Sequence, residues 1–145
     1  MKLISTLVAA AIAAVSVLPA QAATATAPFN VTASLTSKCE VTTAVTDVAF
    51  TYTSFQTTAA TATGGAFSVR CTNTLPYTLS VTATSGTVIG LAYTLGLSAA
   101  GGTGAGLTTA SYNVTGNMAS GQSGTCNTSL AACTGTNAHT LTVTY

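Results

Sequence analysis

His139 is the only histidine in the chain of 145 residues, and Glu40 and Asp47 are its only acids. These three, with Lys38 and Arg70, carry almost all the acid–base capacity available to a mature product. A Ser–His–Asp arrangement is assembled in space rather than in sequence, so spacing alone does not exclude one. However, the chain has no G-x-S-x-G turn and no segment suited to an oxyanion hole. Glu40 and Asp47 as a glycosidase pair are better explained as solvated loop positions. The run Gly101-Gly-Thr-Gly-Ala-Gly106 has no Lys-Ser/Thr after it and no following helix, so it reads as a loop rather than a phosphate cradle. His139 reads as a surface residue at the start of a strand. Asn30, Asn113 and Asn127 begin glycosylation sequons that a Thr-rich chain produces by coincidence. Tyr52, Tyr77, Tyr93, Tyr112 and Tyr145 read as core and rim aromatics rather than a sugar-stacking platform. With Lys+Arg 3 and Asp+Glu 2, there are too few cations to neutralise a row of phosphates or to hold a polybasic membrane patch. The composition therefore predicts no catalysis, no cofactor, no nucleic-acid partner and no small-molecule substrate.

What remains is cysteine chemistry. Cys39, Cys71, Cys126 and Cys133 allow three pairings. The favoured set is Cys39–Cys71, which staples two distant strands, with Cys126–Cys133, which closes a short loop. Zinc is disfavoured because no C-x2-C pair occurs and His139 is the only imidazole. Disulfides require an oxidising compartment, and residues 1–22 supply the route. Lys2 opens an apolar run from Leu3 to Leu18, Pro19 ends it, and Ala20-Gln-Ala22 forms a small-residue cleavage site. This is the pattern of a secretory signal peptide. A membrane anchor would need a longer stretch, ending in charge. The mature chain then begins near Ala23 and keeps Lys38, Arg70, Glu40 and Asp47, for a formal charge of zero. An uncharged chain has little colloidal repulsion and tends to associate.

The elements that position these residues all read as strands. From Ala23 to Leu35 every odd position is apolar and every even one is Thr, Pro, Asn or Ser. That is the period-two pattern of a strand with one buried face. Pro28 lacks an N–H and marks an edge or an end. Further strands are predicted at Val41–Val48, Phe50–Phe55, Ala66–Thr72, Tyr77–Ala83, Val88–Leu97, Ser111–Met118 and His139–Tyr145. Loops are expected at Thr57–Gly65, Ala99–Gly106 and Gly121–Asn137. No mature segment has a helical period, and Thr makes up about a fifth of the chain, well above ordinary usage. Short strands at this spacing predict one all-β sandwich or barrel. Long apolar strands at both ends leave edges that only two lysines and one arginine could blunt. One solution is strand addition between copies.

The segments Cys39-Glu-Val, Phe67-Ser-Val-Arg-Cys71-Thr, Pro76-Tyr77-Thr, Leu91-Ala-Tyr93, Tyr112-Asn-Val-Thr-Gly116 and Leu141-Thr-Val-Thr-Tyr145 occur in an order that resembles the spore coat protein U domain. That family includes pilins of archaic chaperone–usher pili. Tyr112–Gln122 is similar to the family's strand followed by a PAGQ turn, with Ser120 in place of Ala. Cys126 and Cys133 lie outside the family pattern, and Ser98-Ala-Ala-Gly replaces its D-A-A-R stretch.

The resemblance implies an incomplete immunoglobulin-like β-sandwich completed by a donor strand from a neighbouring subunit. Residues 1–22 would be the leader, 23–37 the donor segment and 38–145 the sandwich domain. The donor residues would be Phe29, Val31, Ala33 and Leu35, with Ala25 and Ala27 as weaker plugs. Leu141, Val143 and Tyr145 would form the acceptor edge, and the family's first cysteine pair corresponds to Cys39 and Cys71. The implied partners are other copies or related pilins, a periplasmic chaperone and an outer-membrane usher. The implied setting is a cell-surface fibre or coat serving adhesion or biofilm formation. A self-contained secreted sandwich, acting as a coat protein or as a carbohydrate- or protein-binding module, is the alternative reading.

Overall fold

The computed structural model describes residues 23–129 and 131–145. The expected leader, residues 1–22, lies outside them. Residues 23–34 belong to a unit separate from Leu35–Tyr145.

The second unit is all-β. Its strands are β1 (Cys39–Thr43), β2 (Val48–Ala49), β3 (Ala60–Thr61), β4 (Thr63–Gly64), β5 (Ala66–Cys71), β6 (Pro76–Val81), β7 (Ser85–Val88), β8 (Leu91–Leu97), β9 (Gly101–Thr103), β10 (Ala110–Met118) and β11 (Leu141–Thr144). Every pairing between them is antiparallel. One sheet runs β1-β5-β10-β8-β7, with β3 also paired to β10; a second runs β11-β6-β9; β2 and β4 form a short ribbon. Lettered in chain order, with β1 and β2 as A and β3 to β5 as B, the large sheet reads A-B-E-D along β1-β5-β10-β8. Strands β6 and β11 stand as C and F, so these strands follow the immunoglobulin sandwich order, with β7 added beyond D and β9 added beside C.

Alternation builds the core. Phe67, Val69 and Cys71 of β5 are buried between more exposed neighbours, as are Tyr77 and Leu79 of β6. With Val114 and Cys39 they form one cluster. Leu91, Tyr93, Met118 and Ala60 form a second. Tyr77 reaches the Tyr112 hydroxyl at 2.6 Å, and the rings meet edge to face. Burial, followed by this hydrogen bond, pushes the Tyr77 hydroxyl up to about 12.

The observed elements depart from the predicted ones at several places. Residues 23–38 form no strand, and Phe29, Val31 and Leu35 are 84%, 85% and 82% exposed. An alternating pattern specifies an apolar face but does not supply the strand that would pair with it. Val41–Val48 breaks into β1 and β2, and Phe50–Phe55 is not a strand. The expected loop Thr57–Gly65 instead holds β3 and β4 and runs on into β5 along β10. Gly64 and Gly65 make this possible. Both have positive φ, and a side chain at Gly65 would collide with the Val114 carbonyl. The predicted strand Val88–Leu97 is β8 from Leu91 onward, but its start is a hairpin turn: β7 and β8 meet at Ile89-Gly90, both with positive φ, in the manner of a two-residue primed turn. The sequence lacks the usual Asn-Gly signal, which hid the turn. The expected loop Ala99–Gly106 contains β9.

Candidate functional site: an apolar cleft beside a free edge

The two sheets do not close on each other along their whole length. A cleft of about 840 Å³ opens between them. Leu91, Tyr93, Leu95, Val114 and Met118 line it from the large sheet, and Val81 and Leu141 from the small one. Val45, Val48, Phe50 and Tyr52 form one rim, and Cys133 to His139 the other. Many of these same side chains belong to the two core clusters or pack against them. The cleft is thus a continuation of the core that the described chain leaves unfilled.

Strand β11 borders this opening. It pairs with β6 on one side, and among the described residues no strand pairs with its other side. In a complete immunoglobulin sandwich strand G occupies that position, beside F. The three residues expected at an acceptor edge are placed unequally. Leu141 lines the cleft, and Val143 packs against the core cluster. Tyr145 lies beyond the end of β11 and is exposed.

The ionisable groups on the cleft wall are Asp47, His139 and the hydroxyls of Tyr52 and Tyr93. The Tyr52 hydroxyl donates to the Ala119 carbonyl at 2.9 Å and accepts the Gln122 N–H at 3.0 Å. His139 is not the plain surface residue its sequence context predicts. It is half-buried, its ring stands edge-on to Tyr93, and its Nε2 lies 2.6 Å from the Tyr93 hydroxyl. Its Nδ1 is buried with no hydrogen-bond partner among the described residues. The 46 residues separating this pair hid it from sequence reasoning. Among the described residues no group of three His, Cys, Asp or Glu side chains could hold a metal ion.

The long connection from β10 to β11 forms part of the wall because it is held at several points. The Thr125 N–H donates to the Ile89 carbonyl at 2.7 Å, and the Gln122 side chain bonds both backbone groups of Ala92. The disulfide Cys126–Cys133 closes a seven-residue loop within the connection. Cys39–Cys71 joins residues directly opposite each other on β1 and β5. Two disulfides mark a chain that folds in an oxidising environment, extracellular or periplasmic.

Next to Cys39, Glu40 accepts from Lys38 Nζ at 2.8 Å and from Arg70 Nε at 3.0 Å, with Arg70 Nη2 also on the same carboxylate. The Lys38 bond, then the Arg70 bonds, hold the Glu40 carboxyl down at about 2, against an ordinary 4.5. A depressed carboxylate stabilises the fold above its unfolded pKa and loses that contribution as pH falls from about 4.5 through about 2. The group faces solvent, so the stability at stake is small. A carbon-detected NMR titration should give a Glu40 midpoint near 2, moving upward in Lys38→Gln. An unchanged midpoint in that variant would mean that the lysine does not set it.

No family model, no curated protein and no solved structure matches the chain, so its assignment rests on the cleft, the free edge and the residues that could fill them.

Proposed function

We propose that the chain is a structural subunit of an exported surface fibre or coat, of the kind its resemblance to the spore coat protein U domain implies. It polymerises when the N-terminal segment of one copy fills the cleft of the next. The observation that carries this reading is the apolar cleft, which runs beside the unpaired edge of β11 at the place of a seventh sandwich strand. The alternating, exposed segment from Ala25 to Leu35 supports it. Laid along β11, that segment directs Ala25, Ala27, Phe29, Val31, Ala33 and Leu35 into the cleft while its backbone bonds the free edge. Burying four to six such side chains contributes on the order of 10 kcal/mol before ordering costs. The contact is head-to-tail and does not close, so it builds a fibre. A subunit with an open apolar cleft needs a chaperone in the periplasm and an usher at the outer membrane. The fibre would serve adhesion or biofilm formation.

Electron microscopy of exported protein, intact and lacking residues 23–36, tests the assembly. The intact chain should form fibres. The truncated chain should remain folded, held by a strand-lending chaperone, and should not polymerise. Folded monomers from the intact chain, together with unfolding on truncation, would mean that the segment completes its own sandwich, and the self-contained reading would replace this one.

A further inference from the structure

Two large apolar side chains outside the cleft are held in full view at opposite ends of β10. Leu107 is 88% exposed, in the turn just before β10 begins. Phe55 is 72% exposed, in a loop beside the segment that leaves the end of β10. Single exposed apolar residues are ordinary, but these two are unusual in how firmly they are presented. Phe55 has a φ of 65°, a costly conformation for a bulky residue. Its loop is pinned by the Phe55 N–H on the Gln122 carbonyl at 2.8 Å, Ser54 Oγ on the Ser123 carbonyl at 2.6 Å and the Gly121 N–H on the Gln56 carbonyl at 2.8 Å. The Leu107 turn is closed by a bridge between Ala105 and Thr108. It is tied to the end of β5 through the Gly106 N–H on the Cys71 carbonyl at 3.1 Å.

The chain leaves the sandwich at the Leu107 end, where the Thr72 N–H bonds the Lys38 carbonyl at 2.9 Å and the Lys38 N–H bonds Thr72 Oγ1 at 2.9 Å. Only residues 36–38 separate Leu35 from Cys39, a reach of at most about 14 Å. Strand β11 begins opposite Val81, at the far end of β6 from the Cys71 turn. A donor strand antiparallel to β11, as G is to F in a complete sandwich, therefore finishes near the start of β11, at the Phe55 end of its host. The short tether then brings the donor's Leu107 end against the acceptor's Phe55 end.

On this basis, and resting on the donor-strand reading above, we infer that Leu107 of one copy packs against the Phe55 loop of the next copy. The two rigid turns form a second contact that fixes the angle between subunits. The partner is a second copy of this chain, because only a copy carries the complementary end at the distance set by the tether.

Cysteine cross-linking in the full-length exported chain tests this. The double variant Phe55→Cys/Leu107→Cys should give a ladder of disulfide-linked multimers on non-reducing gels. Either single variant alone should resemble the unmodified chain, and a mixture of the two singles should stop at dimers. Leu107→Asp should raise the concentration needed for half-maximal polymerisation about tenfold. Phe29→Asp, which disables the donor segment, should remove both fibres and ladder. Fibres from the double variant without a ladder would overturn this contact while leaving the donor-strand reading intact. A ladder that survives Phe29→Asp would overturn it as well, since the contact would then be independent of the donor strand. Absence of fibres from the unmodified chain would overturn both.

Discussion

Replacing Cys39 and Cys71 together by serine is expected to cost the subunit about 3–4 kcal/mol, because the bond closes a loop of 32 residues that the unfolded chain would otherwise leave open. A single domain is usually stable by only about 5–15 kcal/mol, and a sandwich with an unfilled cleft belongs at the low end of that range. The expected result is a fall in Tm of about 10–20 °C and a large loss of folded protein on export. The double serine variant of Cys126 and Cys133 provides an internal comparison. That loop spans seven residues, so its loss should cost only about 2 kcal/mol. Thermal melts followed by circular dichroism would separate the two. If the Cys39/Cys71 variant melted within a few degrees of the unmodified chain, the ladder between β1 and β5 would hold without its covalent staple.

The second large effect concerns the proposed donor segment. Phe29 and Val31 are exposed, so on the donor-strand proposal a neighbour's cleft would have their whole apolar surface to gain. At roughly 1.5–3 kcal/mol for each side chain, replacing both by aspartate removes about 3–6 kcal/mol and places two charges against aliphatic walls. That corresponds to a loss of at least about a hundredfold in the affinity of the joint. Fibre yield from the Phe29→Asp/Val31→Asp variant should fall below detection by sedimentation and microscopy. Both disulfides should still form, because neither position touches the core clusters. Fibres at the unmodified yield would show that the segment is not what joins the copies.

These two experiments address features of different legibility. The cysteine chemistry was open to a sequence reader because cysteine is scarce and the pairings are few. Pairing Cys39 with Cys71 needed nothing beyond the idea of two strands side by side, and β1 and β5 place them in direct register. The alternating N-terminal segment was equally visible, but a period of two reports only that one face is apolar. Whether that face has a partner depends on every other strand, and no strand within the described chain takes it up. The Ile89-Gly90 hairpin was hidden for a local reason. An isoleucine with a φ of 44° is an exception that propensity does not foresee, and the surrounding pairing of β7 with β8 holds it there.

The sequence alone determined the class of the molecule. A chain so poor in charge, so rich in Thr and so regularly alternating buries its apolar side chains as sheets, in a sandwich or a barrel. Residue types also narrowed the chemistry to be expected, since acids, bases and metal ligands are few. Tertiary structure alone decided that β11 keeps an unpaired edge among the described residues, that the core runs out into an open cleft, and that His139 meets Tyr93 on that cleft's wall. The physical reason is that a free edge and an unfilled core are properties of neighbours. A strand's own residues specify which side faces inward, while only the finished packing shows which inward-facing side chains have nothing opposite them.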